Sequence, residues 1–420
     1  MKRSVLTSLV SLSLAGASAQ AAVTLLDKDG WKAQLGGFAE LDIFHDSTRS
    51  FTESTNNSPV AKSGTYNGDN GRTQMSVADS RLAFAVMPPA NEGWQAKGYI
   101  EGDFLGANAG TTESKYYTSP VFRIRHAYLA DENSCWQLLA GQTWSLLGWQ
   151  TYYLQPSIAV PAAVGALYER TPQVTAMNKK KLGSLALQSA LSLERPAQRD
   201  SGYPNVNGGL RFSFDGWRGA LANSPAGDVG VAPASAAITG SARDFKLSGG
   251  SHQTGYAVAV DAFLPILRAA ENDPGNSLVL LGEFSTGRGY GELFPGYSGG
   301  LAAQTSANDF NIDPGLAGND GTGFRLVDLQ SYNVTLQYHL PSELQTWVNV
   351  GFARLKSDNI GAMGTPGAIY TSNEFYFANI YHDVTRQIRV ATEYSYAKTD
   401  YNDGSSGHNN RYQVSFWYRF

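Results

Sequence analysis

Cysteine occurs once in 420 residues, so no intrachain disulfide can brace the fold. Charge is scarce: Lys, Arg, Asp and Glu make up 16% of the chain, against roughly 25% in an average soluble domain. Neither sign dominates, with 32 bases, 36 acids and a formal net charge of −4. That removes the basic footprint of a nucleic-acid-binding protein. No run after the first 22 residues approaches the ~20 apolar residues of a spanning helix, so a helical membrane bundle is excluded. What is plentiful is Gly (45), Tyr (22) and aromatics in general (12%). A chain rich in Gly and Tyr, polar on average and low in charge, has the composition of a β-barrel with a polar inside and an apolar outside.

Residues 1–21 read as a secretory signal peptide. Lys2 and Arg3 supply the positive start, Ser4 to Gly16 a short apolar core, and Ala19-Gln20-Ala21 a small-residue cleavage pattern that places the cut after Ala21. Cleavage removes two cations and no acids, which leaves −6 on residues 22–420. Export with no later spanning helix leaves periplasm, secretion or the outer membrane, and periodicity decides among them.

The last ten residues alternate strictly. Tyr412, Val414, Phe416, Tyr418 and Phe420 share one face; Arg411, Gln413, Ser415, Trp417 and Arg419 share the other. Side chains alternate sides along a strand, so this is a strand with an apolar and a mostly polar face. The pattern recurs over 331–340, 344–352 and 388–397. Such runs predict strands near 33–46, 76–88, 93–104, 121–131, 135–144, 169–178, 182–195, 204–214, 216–223, 255–268, 276–290, 324–340, 343–356, 370–384, 386–399 and 410–420. The reading is all-β: one closed antiparallel transmembrane barrel of about sixteen strands over 22–420, with short periplasmic turns and long extracellular loops. Asp215-Gly216 reads as a tight hairpin turn. The stretches 47–75, 105–120, 145–168, 224–254, 291–323 and 357–369 read as long loops. Phe375-Tyr376-Phe377 interrupts the alternation and suggests a bulge or a subunit contact.

Residues 79–178 carry the most specific local sequence. The strings are Ser80-Arg81-Leu82-Ala83-Phe84, Gly98-Tyr99-Ile100-Glu101-Gly102-Asp103-Phe104-Leu105-Gly106, Phe122-Arg123-Ile124-Arg125-His126-Ala127-Tyr128 and Leu139-Ala140-Gly141-Gln142-Thr143-Trp144-Ser145. In this order and spacing they resemble the DcaP-like trimeric porins of Gram-negative outer membranes. The resemblance implies a sixteen-stranded trimeric barrel that passes small, often anionic, solutes. It also implies that the loop after the fifth strand, 145–168 here, folds inward and narrows the pore. The chain departs from the family in that loop's sequence. It also has almost no segment between the leader and the first strand, where well-known members carry a helical coiled coil.

Alternation assigns the candidate pore lining. With Gly98, Ile100 and Phe104 toward lipid, Lys97, Glu101 and Asp103 point inward. With Phe122, Ile124 and Tyr128 outward, Arg123 and Arg125 point inward. Arg81 does so opposite Leu82 and Phe84, and Glu40 and Asp42 opposite Leu41 and Ile43. These eight residues are expected at a constriction where a basic ladder meets acids, and charged constrictions set ion selectivity. The net −6 favours cations and the arginines favour anions. The local effect is expected to win, because charges beyond a Debye length of ~8 Å are screened.

Enzyme signals are weak. Gly296-Tyr297-Ser298-Gly299-Gly300 matches a nucleophile elbow, but without the strand and helix that motif needs. The six His show no metal-ligand spacing, and no cofactor motif is present. The function expected is a porin for passive diffusion of small hydrophilic solutes, with a mild preference for carboxylate-bearing anions. Its expected partners are outer-membrane lipid, two further copies of the chain, and the barrel-assembly machinery that reads a strand ending in Phe420. No nucleic-acid partner is expected. The alternative is a surface-binding barrel, an adhesin or receptor that uses loops 224–254 and 291–323.

Overall fold

The computed structural model describes residues 22–420 except 55–57, 107–119, 151, 160–163, 200, 247–251 and 295–314. The leader, the serine string at 296–300 and most of the 105–120 and 291–323 loops lie outside the described residues.

The strands in chain order are β1 (Val23–Lys28), β2 (Trp31–Asp46), β3 (Arg72–Ser76), β4 (Arg81–Met87), β5 (Gln95–Asp103), β6 (Arg123–Glu132), β7 (Trp136–Trp144), β8 (Arg170–Leu182), β9 (Leu185–Glu194) and β10 (Asn205–Leu221). They continue with β11 (Gly230–Lys246), β12 (His252–Leu267), β13 (Ser277–Arg288), β14 (Ala317–Asn319), β15 (Phe324–Leu326), β16 (Asp328–His339), β17 (Thr346–Lys356), β18 (Tyr370–Asp383), β19 (Ile388–Tyr401) and β20 (Ser406–Arg419). β3 and β4 are two halves of one strand, and both pair with β2, over 42–46 and 32–38 respectively. β14 and β15 form a separate two-stranded sheet in an outer loop. β1 is a short hairpin arm that folds back on the start of β2. The rest make a closed antiparallel barrel of sixteen strands. It closes where β20 pairs with β2, from Phe38 opposite Arg419 to Asp46 opposite Arg411. Phe420 exchanges two backbone hydrogen bonds with Gly37, at 2.9 and 3.0 Å.

The two faces follow the alternation. Leu82, Ile100, Leu129, Leu191, Val350 and Phe416 are exposed on the outer wall, while Glu101, Arg243, Asn349 and Gln413 are buried on the inner one. An apolar outer band can meet lipid while polar inner groups meet each other or water.

Five expectations need correction. Asp215-Gly216 is not a hairpin: β10 runs through it, and the three residues between Phe214 and Arg218 form a bulge in its pairing with β11. The expected strand 216–223 is therefore the end of β10. The expected long loop 224–254 is mostly β11, so the count of sixteen holds with a different eighth and ninth member. β11 carries no clear alternation in sequence because many of its side chains are small (Ala232, Ala234, Ala236, Ala237, Gly240, Ala242), so its two faces barely differ in hydropathy. Tyr128 faces inward, since Arg125 is an extra residue between the pairs Gly102–Ile124 and Glu101–His126, and a bulge reverses every later side chain. Phe375-Tyr376-Phe377 keeps its alternation: Phe375 and Phe377 are buried inside and Tyr376 is exposed outside.

Candidate functional site

The connection between β7 and β8 runs through the lumen rather than over its rim. Its start is anchored by apolar packing. Leu146, Trp149 and Tyr153 bury against Met177, Ala237, Phe263, Val279 and Leu281. Burying one such aromatic contributes ~2–3 kcal/mol. Gly148 has φ 77, a conformation glycine adopts without steric cost. A Cβ there would lie 2.7 Å from both Glu283 Oε2 and Leu167 Cδ1.

Wall groups then satisfy the loop's backbone. Gly148 N donates to Thr239 Oγ1 (2.8 Å), Leu167 N to Glu283 Oε1 (2.9 Å) and Leu146 N to Glu194 Oε1 (2.9 Å). Farther round the barrel, Ile158 N and Ala159 N donate to the Glu393 carboxylate at 2.7 and 3.1 Å, and Ser157 Oγ donates to it at 2.8 Å. Gln155 Nε2 donates to the carbonyls of Val334 and Phe352 at 3.0 and 3.2 Å. Leu147, Ala159, Val164 and Leu167 join an apolar cluster with Val60, Leu293, Phe294, Phe375 and Phe377. The loop thus fills the lumen beside β11–β19 and leaves the wall from β4 to β8 as the charged side.

That wall carries an ion cluster. Asp103 accepts from Arg123 Nε (3.0 Å) and Nη2 (2.7 Å), a bidentate pair. Arg125 bridges Glu101 through Nε (2.9 Å) and Asp103 through Nη1 (2.8 Å). Arg81 Nε lies 3.6 Å from Glu101. The bulge on β6 is what allows Arg125 and His126, adjacent in sequence, both to be buried in the lumen.

The structure brings together five of the eight expected residues: Arg81, Glu101, Asp103, Arg123 and Arg125. Glu40 and Asp42 lie on the inner face of the neighbouring β2. Asp42 turns toward β20, where it accepts from Gln413 Nε2 (3.0 Å) and Ser415 Oγ. Lys97 is four residues along β5 from Glu101, ~13 Å at 3.3 Å per residue, and packs 4.7 Å from the Tyr99 ring centroid.

The sequence reading missed the contribution of the loop's end and of the first residue of β8. Tyr168 accepts from Arg125 Nη2 at 3.2 Å. Arg170 stacks on Trp144 (4.8 Å) and Tyr168 (5.4 Å), and among the described residues it has no carboxylate partner. Three guanidiniums (Arg81, Arg123, Arg125) therefore pair with two carboxylates, and Arg170 stands beside them. Burial pushes the loop residue Glu169 up to about 7, although Arg170 and Arg123 pull the other way. Burial would also raise the Tyr168 phenol, but the guanidiniums of Arg125, Arg170 and Arg81 outweigh it and bring it down to about 8.

A sixteen-stranded antiparallel barrel, with its lumen narrowed by the loop after its fifth strand, defines a porin-type fold. The chain shares that fold with solved structures of outer-membrane channels. It matches the outer-membrane channel DcaP of Acinetobacter baumannii with a TM-score of 0.68 and 18% identity, covering 94% of this chain and 99% of that one. It matches an anion-selective porin from Comamonas acidovorans at 0.52 and 10% identity, over 93% and 100% of the two chains. The Salmonella typhi OmpF complex with daunomycin matches at 0.53 and 11%, over 95% and 100%. No family model and no curated protein matches the sequence.

Proposed function

We propose that the protein is an outer-membrane porin that lets small hydrophilic solutes diffuse through its lumen, with a mild preference for anions bearing carboxylates. The fold supports the channel reading. The observation that carries the preference is the cluster between β4 and β8, where guanidiniums outnumber their paired carboxylates. Arg123 is the member most open to the lumen, its side chain 39% exposed; Arg125, Glu101 and Asp103 are buried behind it.

One uncompensated charge is enough. At 8 Å it acts on a monovalent ion with ~0.5 kcal/mol in bulk water and ~2 kcal/mol at an effective dielectric of 20. At 1.4 kcal/mol per tenfold, that spans about twofold to about thirtyfold in partition. Salt screening at ~8 Å keeps the result near the lower end.

In this reading the protein needs no cofactor and catalyses no reaction. Its leader is removed after Ala21, and the strand ending in Phe420 is read by the barrel-assembly machinery of a Gram-negative cell. It works as a homotrimer. Reconstitution in a planar bilayer under a salt gradient tests the reading. Stepwise currents with a reversal potential on the anion side are expected. A silent bilayer overturns the channel, and a cation-side potential overturns the preference. Mass measurement in mild detergent tests the assembly, and a single species of monomer mass at every concentration counts against the trimer.

A further inference from the structure

The end of the barrel with the short turns holds a second built site. The turn between β10 and β11, residues 222–229, folds under the lumen. The carbonyls of Pro225 and Gly227 accept from Arg389 Nη1 at 2.7 and 2.6 Å. Ala222 exchanges two hydrogen bonds with the Gln337 side chain, both at 2.9 Å. Beside this turn lies a cavity of about 360 Å³ whose lining includes Asp228, His339, Trp347, Asp383, Arg386 and Arg419.

The acids there are already engaged. Asp383 accepts from Arg389 at 2.6 and 2.9 Å and lies 3.3 Å from Arg419 Nη2; Asp228 accepts from Arg419 Nη1 at 3.2 Å. The donors are not all engaged. Among the described residues, Trp347 Nε1, Arg419 Nε and both ring nitrogens of His339, one of which donates in the neutral ring, lack a hydrogen-bond partner, on residues 3%, 5% and 4% exposed. Buried donors without partners are uncommon and point to an absent ligand or water. Both faces of the Trp347 ring are covered, by His339 stacked at 5.8 Å and Tyr381 at 5.2 Å, so the ring can offer a ligand only its N–H. Trp Nε1 and Arg Nε donate and cannot accept. Three arginines (386, 389, 419) surround the site against two aspartates. The missing partner is therefore an acceptor, and the charge favours an anion.

We propose that this vestibule binds a small oxyanion through Trp347 Nε1, Arg419 Nε and His339, separately from the charged wall of β4–β8. Equilibrium binding needs no conduction, so the proposal can fail or succeed independently of the channel reading.

The test is a titration of the detergent-folded full chain, labelled with ¹⁵N at its eight tryptophans, with the Trp347 indole peak assigned by its loss in Trp347→Phe. Inorganic phosphate should move that peak to a saturating value. Arg419→Gln should raise the apparent Kd about tenfold and His339→Phe about threefold, the sizes expected for losing a charged and a neutral hydrogen bond. Acetate is the second probe: if it saturates too, the site takes oxyanions in general, and if only one of the two does, the site selects that geometry; each result supports the proposal. A peak that moves with neither probe overturns it. So does one that moves equally with chloride at matched ionic strength, or a Kd unchanged by His339→Phe, which keeps the ring stack even if Arg419→Gln does not fold.

Discussion

The two sides of the lumen are built on opposite plans. From β4 to β8 the inner wall carries long charged side chains, Arg81, Glu101, Asp103, Arg123, Arg125 and Arg170, held by one another. Around β10 and β11 most inward side chains are small, Gly209, Ser213, Ser235, Ala237 and Thr239, with Arg211 and Arg243 buried among them. The small side chains make room for the loop: Trp149 Cζ3 would lie 3.1 Å from a Cβ at Gly209, and Tyr153 Oη is 3.1 Å from Ser235 Oγ. One side is occupied by the loop, whose backbone takes up wall groups such as Glu283 and Glu393, and the other carries the ion cluster. The lesson is that a barrel can place its field by choosing which half to fill. If the proposed channel reading holds, an ion crossing the lumen passes the cluster.

The largest expected effect comes from removing the field. Arg123→Gln with Arg125→Gln leaves Arg81 and Arg170 against Glu101 and Asp103, so the surplus disappears and the bilayer reversal potential should move toward cations. These substitutions also strip ion pairs, and breaking a fully buried pair costs ~3–5 kcal/mol, so a companion is needed. Arg170→Gln removes one charge and no ion pair, and should move the potential the same way by a smaller amount. If both variants conduct with an unchanged potential, the charged side does not line the path.

The next effect comes from releasing the filled side. Glu393 holds the amides of Ile158 and Ala159, the Ser157 hydroxyl and Asn379 Nδ2 (2.7 Å). Glu393→Ala orphans those donors, at ~1–3 kcal/mol for each one left buried and unpaired. Single-channel conductance should rise by about half or more, with added flicker as the loop exchanges positions. Gly148→Ala should act in the same direction and more weakly. It puts an alanine at φ 77 and a methyl 2.7 Å from two atoms, a strain of ~1–2 kcal/mol that the rest of the loop's anchors resist. Unchanged conductance in both would mean that the loop does not set the pore's width.

The same contrast explains what could be read from the sequence. Bulky residues on one face of β16 and β20 made their alternation plain, because Leu or Tyr against Gln or Ser is a large hydropathy step. β11 faces the loop with alanines and serines, and its faces differ too little to reveal a strand. Asp215-Gly216 carries a turn signature but sits in a bulge, since β9 ends at Glu194 and begins at Leu185 beside Phe214, while β11 continues past it. The inward arginines and acids of β4–β6 were legible by period two. Tyr168 and Glu169 were not, because a loop residue's direction is set by the tertiary contacts of Trp149, Gln155 and Glu393, and no local period encodes them; Arg170 is the first residue of β8, where the alternation has only just begun. The bulge at Arg125 likewise hid the inward turn of Tyr128.

The smallest expected effect is the most specific to the charged side. The Glu169 carboxyl, pushed up to about 7 chiefly by burial, is neutral below that pH and carries −1 above it. The Tyr168 phenol, brought down to about 8 by the surrounding guanidiniums, adds a second negative charge above pH 8. Both titrations subtract from the positive surplus as pH rises, so anion preference should be greatest near pH 6 and decline in two steps toward pH 9. Each step is one charge near the cluster, about half the change expected from Arg123→Gln with Arg125→Gln. Reversal potentials measured at half-unit intervals in one salt gradient read this directly. Glu169→Gln should abolish the step near 7 and keep the acidic-pH potential throughout it, whereas Tyr168→Phe should abolish only the step near 8. A flat profile in the unmodified protein would mean that the loop's last turn does not face the ions, even if Arg123 does.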